Sequence, residues 1–257
     1  MGKNNTEYAI FIDIDGTLMA KSDDALLKNI ETIQKVRSLG HKVFISTGRS
    51  TAYLPKELCH ETNFDGRITG GGAIIKLGTK ELARNLMPLD LIEKFSRFVL
   101  KHNLQGFLEG EKDMYHFGFS DRAEKDWPEI TEENLNEVLA SEIPVEKFTI
   151  LGDIPVELDE IMGDTCTVLR FAYYGEIIQK SCGKGKALLD TIDALGIPVQ
   201  RSVAIGDSLN DFDMLKEAGI SVAMGNATDE IKEIADIITD SADDAGVSAA
   251  LKKIFDI

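Results

Sequence analysis

The chain has 257 residues, of which 43% are hydrophobic and 28% are charged, and its formal net charge is −16. This composition excludes collagen-like, mucin-like and wholly disordered chains, and the length allows one large domain or two. The excess of acidic residues argues against nucleic acid or an anionic membrane surface as the main partner, because both select basic patches.

The first fifty residues have the pattern of a β-α-β unit. Residues 8–14 are a continuous apolar run that ends in acid and glycine, which is typical of a buried parallel strand. Ser22 and Asp24 stand where a helix would begin, apolar residues follow at helical spacing, and Gly40 ends the helix. Residues 43–46 form the next predicted strand, so the two strands are expected to be parallel neighbours with a right-handed crossover.

The middle of the chain has a different pattern, in which hairpins are mixed with helices. A hairpin is predicted around Gly78 and Thr79, with strands at 73–77 and 81–84. Helices are expected near 89–102, 131–139 and 156–162, and strands near 105–109, 114–117, 147–152, 167–172 and 176–180. About a hundred residues of this kind predict an inserted α+β domain with its own core.

The alternating pattern returns at the end of the chain. Helices are predicted at 186–195, 211–218 and 229–235, and strands at 202–205 and 220–223. The two ends of the chain are therefore expected to form one doubly wound, Rossmann-like α/β domain with a mostly parallel sheet. The predicted core comprises residues 1–81 and 182–257, and the insert comprises residues 82–181.

Polar residues that suit phosphoryl chemistry stand where predicted strands end. In DIDGTL (13–18), Asp13 and Asp15 are two residues apart and can face the same crevice, where paired carboxylates suit Mg²⁺. Thr47 and Arg49 of STGR (46–49) offer a hydroxyl and a guanidinium to phosphoryl oxygens. The alternatives are a simple turn after the first strand and a helix cap after the second.

Two further segments have the same character. In GKGKAL (183–188), Lys184 and Lys186 stand at the start of a helix, where their positive charges oppose the helix dipole. An anion bound there would explain this position. The alternative is a solvated N-terminal turn with no ligand. In GDSLND (206–211), Asp207 follows a strand and is expected to approach Asp13 and Asp15. Asn210 and Asp211 supply further oxygen groups, although a capped helix start would have the same residues.

In this order, the four segments resemble the motifs of the haloacid dehalogenase-like phosphohydrolases, and the resemblance covers the whole chain. It is closest to the Cof-like branch, in which a large cap domain lies between the second and third motifs, as the insert does here. Cof-like sequences commonly have Asn-Gly after the third core strand, where this chain has Gly70, Gly71 and Gly72. The amides of these glycines are expected to be able to approach an anion.

The resemblance implies a two-step phosphoryl transfer through an aspartyl-phosphate. Asp13 is the implied nucleophile and Asp15 the general acid and base, assisted by Thr47 and Lys184. The implied Mg²⁺ ligands are Asp13, the Asp15 backbone carbonyl and Asp207. The residues implied to orient the metal waters or Lys184 are Asn210 and Asp211, and those implied to bind phosphate or substrate are Gly16, Gly48 and Arg49.

The expected activity is that of a Mg²⁺-dependent phosphatase acting on a small phosphorylated metabolite, either a sugar phosphate or a phosphorylated cofactor. A phosphomutase and a non-catalytic metabolite-binding protein remain alternatives. Cys59, Cys166 and Cys182 form no CxxC pair, and no apolar run reaches the ~18 residues of a membrane span. We therefore expect a cytoplasmic protein, as a monomer or small homo-oligomer, with no membrane or nucleic-acid partner.

Overall fold

The structure is a computed structural model that describes residues 7–19, 21, 23–58, 63–118 and 127–257. The predicted cap at Ser22 and the thiol of Cys59 lie outside these residues. In chain order the strands are β1 (Ala9–Ile12), β2 (Lys42–Ser46), β3 (Gly66–Thr69), β4 (Ile74–Leu77), β5 (Lys80–Arg84), β6 (Gly106–Gly110), β7 (Met114–Phe117), β8 (Val145–Leu151), β9 (Cys166–Arg170), β10 (Tyr174–Gln179), β11 (Ser202–Gly206), β12 (Ile220–Ala223) and β13 (Ile237–Ile238). The helices are α1 (Asp23–Ser38), α2 (Leu89–Lys101), α3 (Leu135–Ala140), α4 (Glu157–Met162), α5 (Lys184–Leu195), α6 (Phe212–Glu217), α7 (Asp229–Ile234) and α8 (Gly246–Phe255).

The first sheet has the strand order β13-β12-β11-β1-β2-β3-β4-β5. β1 lies near its middle and pairs in parallel with β2 on one side and β11 on the other. Parallel pairing continues through β3 and β12, whereas β4 and β5 extend the sheet as an antiparallel hairpin. The predicted Rossmann-like α/β core with a mostly parallel sheet is therefore confirmed.

The strands at the centre of this sheet are apolar because helices cover the sheet. All four residues of β1 are buried, and so are the last four of β2. Ile33 and Val36 of α1, Leu188 of α5 and Val247 of α8 belong to the same apolar cluster as these strands. Strands that are buried on both faces show no alternation of apolar and polar residues, which explains the continuous apolar runs in the sequence.

The second sheet is antiparallel and has the strand order β7-β6-β8-β10-β9. One of its faces packs against α2 and α4 in a separate apolar cluster, in which the rings of Phe95 and Phe148 stack at a centroid distance of 4.3 Å. The predicted mixture of hairpins and helices in this part of the chain is confirmed.

The predicted boundary between core and insert falls within a strand of the first sheet. β5 continues to Arg84, three residues beyond the predicted limit at residue 81. We propose the same division into a core and an inserted cap, with the first boundary moved beyond β5. Among the helices of the described residues, none combines the length and apolar character that a bilayer span requires.

Candidate active site

Three neighbouring strands bring the central polar residues together. Asp13 directly follows β1, Thr47 directly follows β2, and Asp207 directly follows β11. Because these strands are parallel and adjacent, their carboxyl ends meet at one edge of the sheet, where open α/β sheets bind ligands. All three side chains face the interior: Asp13 and Thr47 are buried, and Asp207 is partly buried.

Lys184, the first residue of α5, places a buried ammonium group among these carboxylates. Its Nζ lies 2.6 Å from Asp13 Oδ1, 2.7 Å from Asp211 Oδ1 and 3.3 Å from Asn210 Oδ1. Burial alone lowers the pKa of Lys184, but the attraction of Asp13 and Asp211 outweighs it, so the pKa is raised and the group stays charged. Lys186 instead pairs with Asp190 on the exposed side of the helix.

The carboxylates are crowded, and their pKa values show this. Burial, followed by repulsion from Asp211, raises the pKa of Asp13 to about 8, although Lys184 opposes the shift. Burial and Asp211 also raise the pKa of Asp207 to about 6. A cation placed between these groups would relieve both effects, because a nearby positive charge favours the ionised form.

The residues present fit a small divalent cation. Oxygen atoms of Asp13, Asp207 and Asp211 lie within 4.8 Å of one another. Asp211 already accepts hydrogen bonds at both oxygens: Lys184 donates to Oδ1, and the backbone amides of Asp207 and Ser208 donate to Oδ2. Asp13 and Asp207 are therefore the better candidate ligands, while Asp211 holds Lys184 and the loop that follows β11.

Gly16 and Thr17 hold Asp207 in place from the first strand end. Gly16 has a φ of +77°, and a Cβ atom built on it would lie 2.3 Å from Asp207 Oδ2. The Thr17 hydroxyl donates to Asp207 Oδ1 at 3.0 Å. Sequence reasoning did not assign Thr17 a role, although its position directly after the Asp-Gly turn is a usable signal.

We predict that Gly16→Ala displaces Asp207 and weakens divalent-cation binding. The new methyl group would clash with the carboxylate, and alanine is also strained at this φ. Loss of ligand orientation typically costs about 10- to 100-fold in metal affinity. Calorimetric titration with Mg²⁺ measures this loss, and Gly78→Ala is the matched control, because Gly78 also has positive φ but has open space around it. Equal Mg²⁺ affinity in the two variants would contradict the prediction.

The glycines after β3 support the loop that follows β2. The Gly70 amide donates to the Arg49 carbonyl at 2.7 Å, and the Gly71 amide donates to the Thr47 carbonyl at 3.0 Å. The Gly72 amide donates to Thr69 within its own turn. The expectation that these amides could approach an anion is therefore wrong, because backbone carbonyls already use them.

Asp15 and Arg49 form a bidentate pair at the open side of the site. The guanidinium donates through Nε and Nη2 to the two Asp15 oxygens, at 2.7 and 2.6 Å. The hydrogen bond to Asp15 raises the pKa of Arg49, and the guanidinium also lies 4.8 Å from the centre of the Tyr53 ring. Asp15 remains 55% exposed, so it borders the space that a substrate would enter.

A cavity of about 600 Å³ extends from these residues to the second sheet. From the first sheet it is lined by Asp13, Asp15, Gly16, Thr47, Gly48, Arg49, Tyr53, Asp207, Ser208 and Asn210. From the second sheet and the segments around it, the lining residues are Phe107, Glu109, Met114, Trp127, Lys147, Thr149, Leu151, Tyr174 and Glu176. The volume is that of a small-molecule site.

This fold and site define a class of protein: a Rossmann-like core whose polar strand ends face a cavity beneath a second sheet. A family model described as haloacid dehalogenase-like hydrolase matches residues 10–251. The chain belongs to this family.

Several relatives are named as phosphatases. The chain is 30% identical to the 5-amino-6-(5-phospho-D-ribitylamino)uracil phosphatase YitU of Bacillus subtilis, over 97% of this chain and 98% of that protein. It is 27% identical to the phosphoglycolate phosphatase of Methanopyrus kandleri, over 96% of this chain and 97% of that protein. A sugar phosphatase of HAD subclass IIB has a similar structure, with a TM-score of 0.82, 27% identity and coverage of 97% of this chain and 100% of that one. The protein is accordingly a phosphoric monoester hydrolase.

Proposed function

We propose that the protein is a Mg²⁺-dependent phosphatase that hydrolyses a small phosphorylated metabolite through an aspartyl-phosphate on Asp13. The observation that carries the proposal is the buried Asp13 carboxylate, held at Oδ1 by Lys184 at the end of the cavity. Within the described residues its second oxygen, Oδ2, accepts no hydrogen bond, which leaves that oxygen free for attack on phosphorus.

The two chemical steps use residues on opposite sides of the reacting phosphorus. In the first, a bond forms from Asp13 to phosphorus as the bond to the leaving oxygen breaks, and Asp15 gives that oxygen a proton. In the second, Asp15 takes a proton from water, which attacks phosphorus and releases phosphate from Asp13. Arg49 holds Asp15 at the cavity wall and can also contact a phosphoryl oxygen.

Lys184 supplies the side-chain positive charge near the phosphoryl group. The Thr47 hydroxyl can donate a hydrogen bond to a phosphoryl oxygen. Asp13, Asp207 and the Asp15 backbone carbonyl would hold Mg²⁺, which suits such oxygen ligands. When bound, the ion supplies charge that stabilises the phosphoryl oxygens.

The substrate class is proposed from the relatives and the size of the cavity. One relative is named for a phosphorylated ribityl chain on a uracil ring, and a neighbouring structure is that of a sugar phosphatase. A sugar phosphate or a phosphorylated cofactor of similar size suits a cavity of about 600 Å³.

The test is release of phosphate by protein freed of metal with a chelator. We expect turnover of a generic aryl phosphate only after Mg²⁺ is added. The apparent Mg²⁺ affinity should rise from about pH 6 to about pH 8, because protons compete for Asp13 and Asp207, whose pKa values are raised to about 8 and about 6. Full turnover in the chelator, or a Mg²⁺ affinity that is independent of pH, would contradict the proposal.

A bisphosphorylated hexose distinguishes hydrolysis from phosphoryl return to sugar. A phosphatase yields free phosphate from this compound. Isomerised hexose without free phosphate would identify a phosphomutase instead.

A further inference from the structure

The second sheet presents a charged face to the cavity. On β8, Lys147 and Thr149 line the cavity, whereas Phe148 and Ile150 between and beyond them pack into the apolar cluster on the other side of the sheet. This is the period of two expected of a strand. The cavity face is nevertheless polar at positions that lie in the protein interior, since Lys147 is 3% exposed.

Two carboxylates from the neighbouring strands surround Lys147. Glu109 on β6 pairs directly across from Lys147, and its Oε1 lies 3.4 Å from Nζ. Glu176 on β10 accepts a hydrogen bond from Nζ at its own Oε1, and the Thr149 hydroxyl donates to Glu109. We name Glu109, Lys147 and Glu176 the charged triad.

The charged triad has a formal net charge of −1, from two glutamates and one lysine. Burial alone lowers the pKa of Lys147, but Glu109 and Glu176 outweigh it, so the pKa is raised. Burying three charges costs desolvation free energy that an apolar replacement would avoid. The triad therefore contributes little to the stability of the fold. Its position on the wall of the catalytic cavity suggests a different purpose.

Two carboxylate oxygens of the triad remain available as hydrogen-bond acceptors. Within the described residues, Oε2 of Glu109 and Oε2 of Glu176 accept no hydrogen bond, while Oε1 of each is used. Glu176 Oε2 would lie 3.5 Å from a Cβ atom built on Gly48, so the triad reaches the loop between Thr47 and Arg49. The unused atoms are acceptors, and acceptors bind ligand hydroxyl or amine groups.

Aromatic rings line the same cavity beside the triad. The Trp127 ring makes edge contacts with Tyr53 and Phe107, at centroid distances of 5.7 and 5.9 Å, and Tyr174 of β10 also lines the cavity. Flat groups stack on such surfaces. A second anion, by contrast, would meet the negative triad and a cap that has ten more acidic than basic residues over 82–181.

We infer that the charged triad is the specificity determinant for the leaving group. It selects monoesters whose leaving group is uncharged, contains several hydroxyl or amine donors and can include a flat ring, and it rejects leaving groups that have a carboxylate. This inference rests on the proposed phosphatase activity.

The experiment compares kcat/KM for ribitol 5-phosphate and for phosphoglycolate, both with Mg²⁺. The wild-type protein should prefer ribitol 5-phosphate by about 100-fold or more, and Glu176→Gln should reduce that ratio by about tenfold or more, as does loss of a charge-assisted hydrogen bond. Glu109→Gln should act in the same direction, since it also removes an acceptor and a negative charge. Glu160→Gln, on the exposed side of α4, is the matched control and should keep the wild-type ratio.

The outcomes separate the inference from the proposed function. Wild-type protein that prefers phosphoglycolate, or glutamine variants that both keep the wild-type ratio, would overturn the role of the triad. The wild-type measurement holds whether or not a variant folds. If the wild-type protein releases no phosphate from any ester, including an aryl phosphate, the proposed phosphatase function itself is wrong.

Discussion

Asp13→Asn is expected to lower kcat for an aryl phosphate by about 10⁴-fold or more, as removal of a covalent nucleophile does in other enzymes. The amide cannot form an acyl phosphate, yet it has the size of the carboxylate and keeps an oxygen for the hydrogen bond from Lys184. The fold should therefore persist, which circular dichroism can verify. Release of inorganic phosphate measures the loss.

The control for this variant is Asp190→Asn. Asp190 is exposed on α5 and pairs with Lys186, outside the cavity. It should retain wild-type turnover. Similar rates for the two asparagine variants would remove Asp13 from the proposed chemistry.

Lys184→Met is expected to lower the free energy of unfolding by about 3–5 kcal/mol, because it removes the only cation that contacts the buried carboxyl groups of Asp13 and Asp211 among the described residues. Lys184 is 2% exposed and contacts both carboxylates within 2.7 Å, so solvent screens little of this cost. Turnover should also be lost, since the phosphoryl group would lack its nearest side-chain cation. Urea denaturation in the presence of a chelator measures the change in stability.

Two comparisons make this second prediction specific. Lys186→Met removes an exposed pair on the same helix and should change stability by less than about 0.5 kcal/mol. Mg²⁺ should restore more stability to Lys184→Met than it adds to the wild-type protein, because the ion replaces part of the missing positive charge. If the two methionine variants are equally stable, the charge balance described for the site is incorrect.

The fold was predictable where apolar runs and turn residues determine it. The predicted strand at 220–223 matches β12, and the strand at 43–46 differs from β2 by one residue. The helix predicted to begin at 131 instead begins at Leu135 as α3. Thr131 and Asn134 bond each other's backbone amides through their side chains, the reciprocal pattern of a capping box, and the turn that they close leads into α3.

The meeting of the strand ends was predictable because parallel neighbours end at one edge of a sheet. The pairing of Asp15 with Arg49 was not, since it depends on the path of the loop after β2. The cavity face of β8 was also unpredictable. Nearly the whole strand is buried on both faces, so its sequence does not tell which face meets a helix and which meets a cavity.

The two apolar clusters have no side chain in common among the residues that the structure describes. One supports the strand ends that bear Asp13 and Asp207, and the other supports the charged triad from behind. Substitutions in separate clusters tend to have additive effects on stability. Substitutions that repack the cluster behind the charged triad should therefore change the stability of the cluster behind Asp13 and Asp207 very little, which gives natural selection, or a protein engineer, a separate part of the molecule to change.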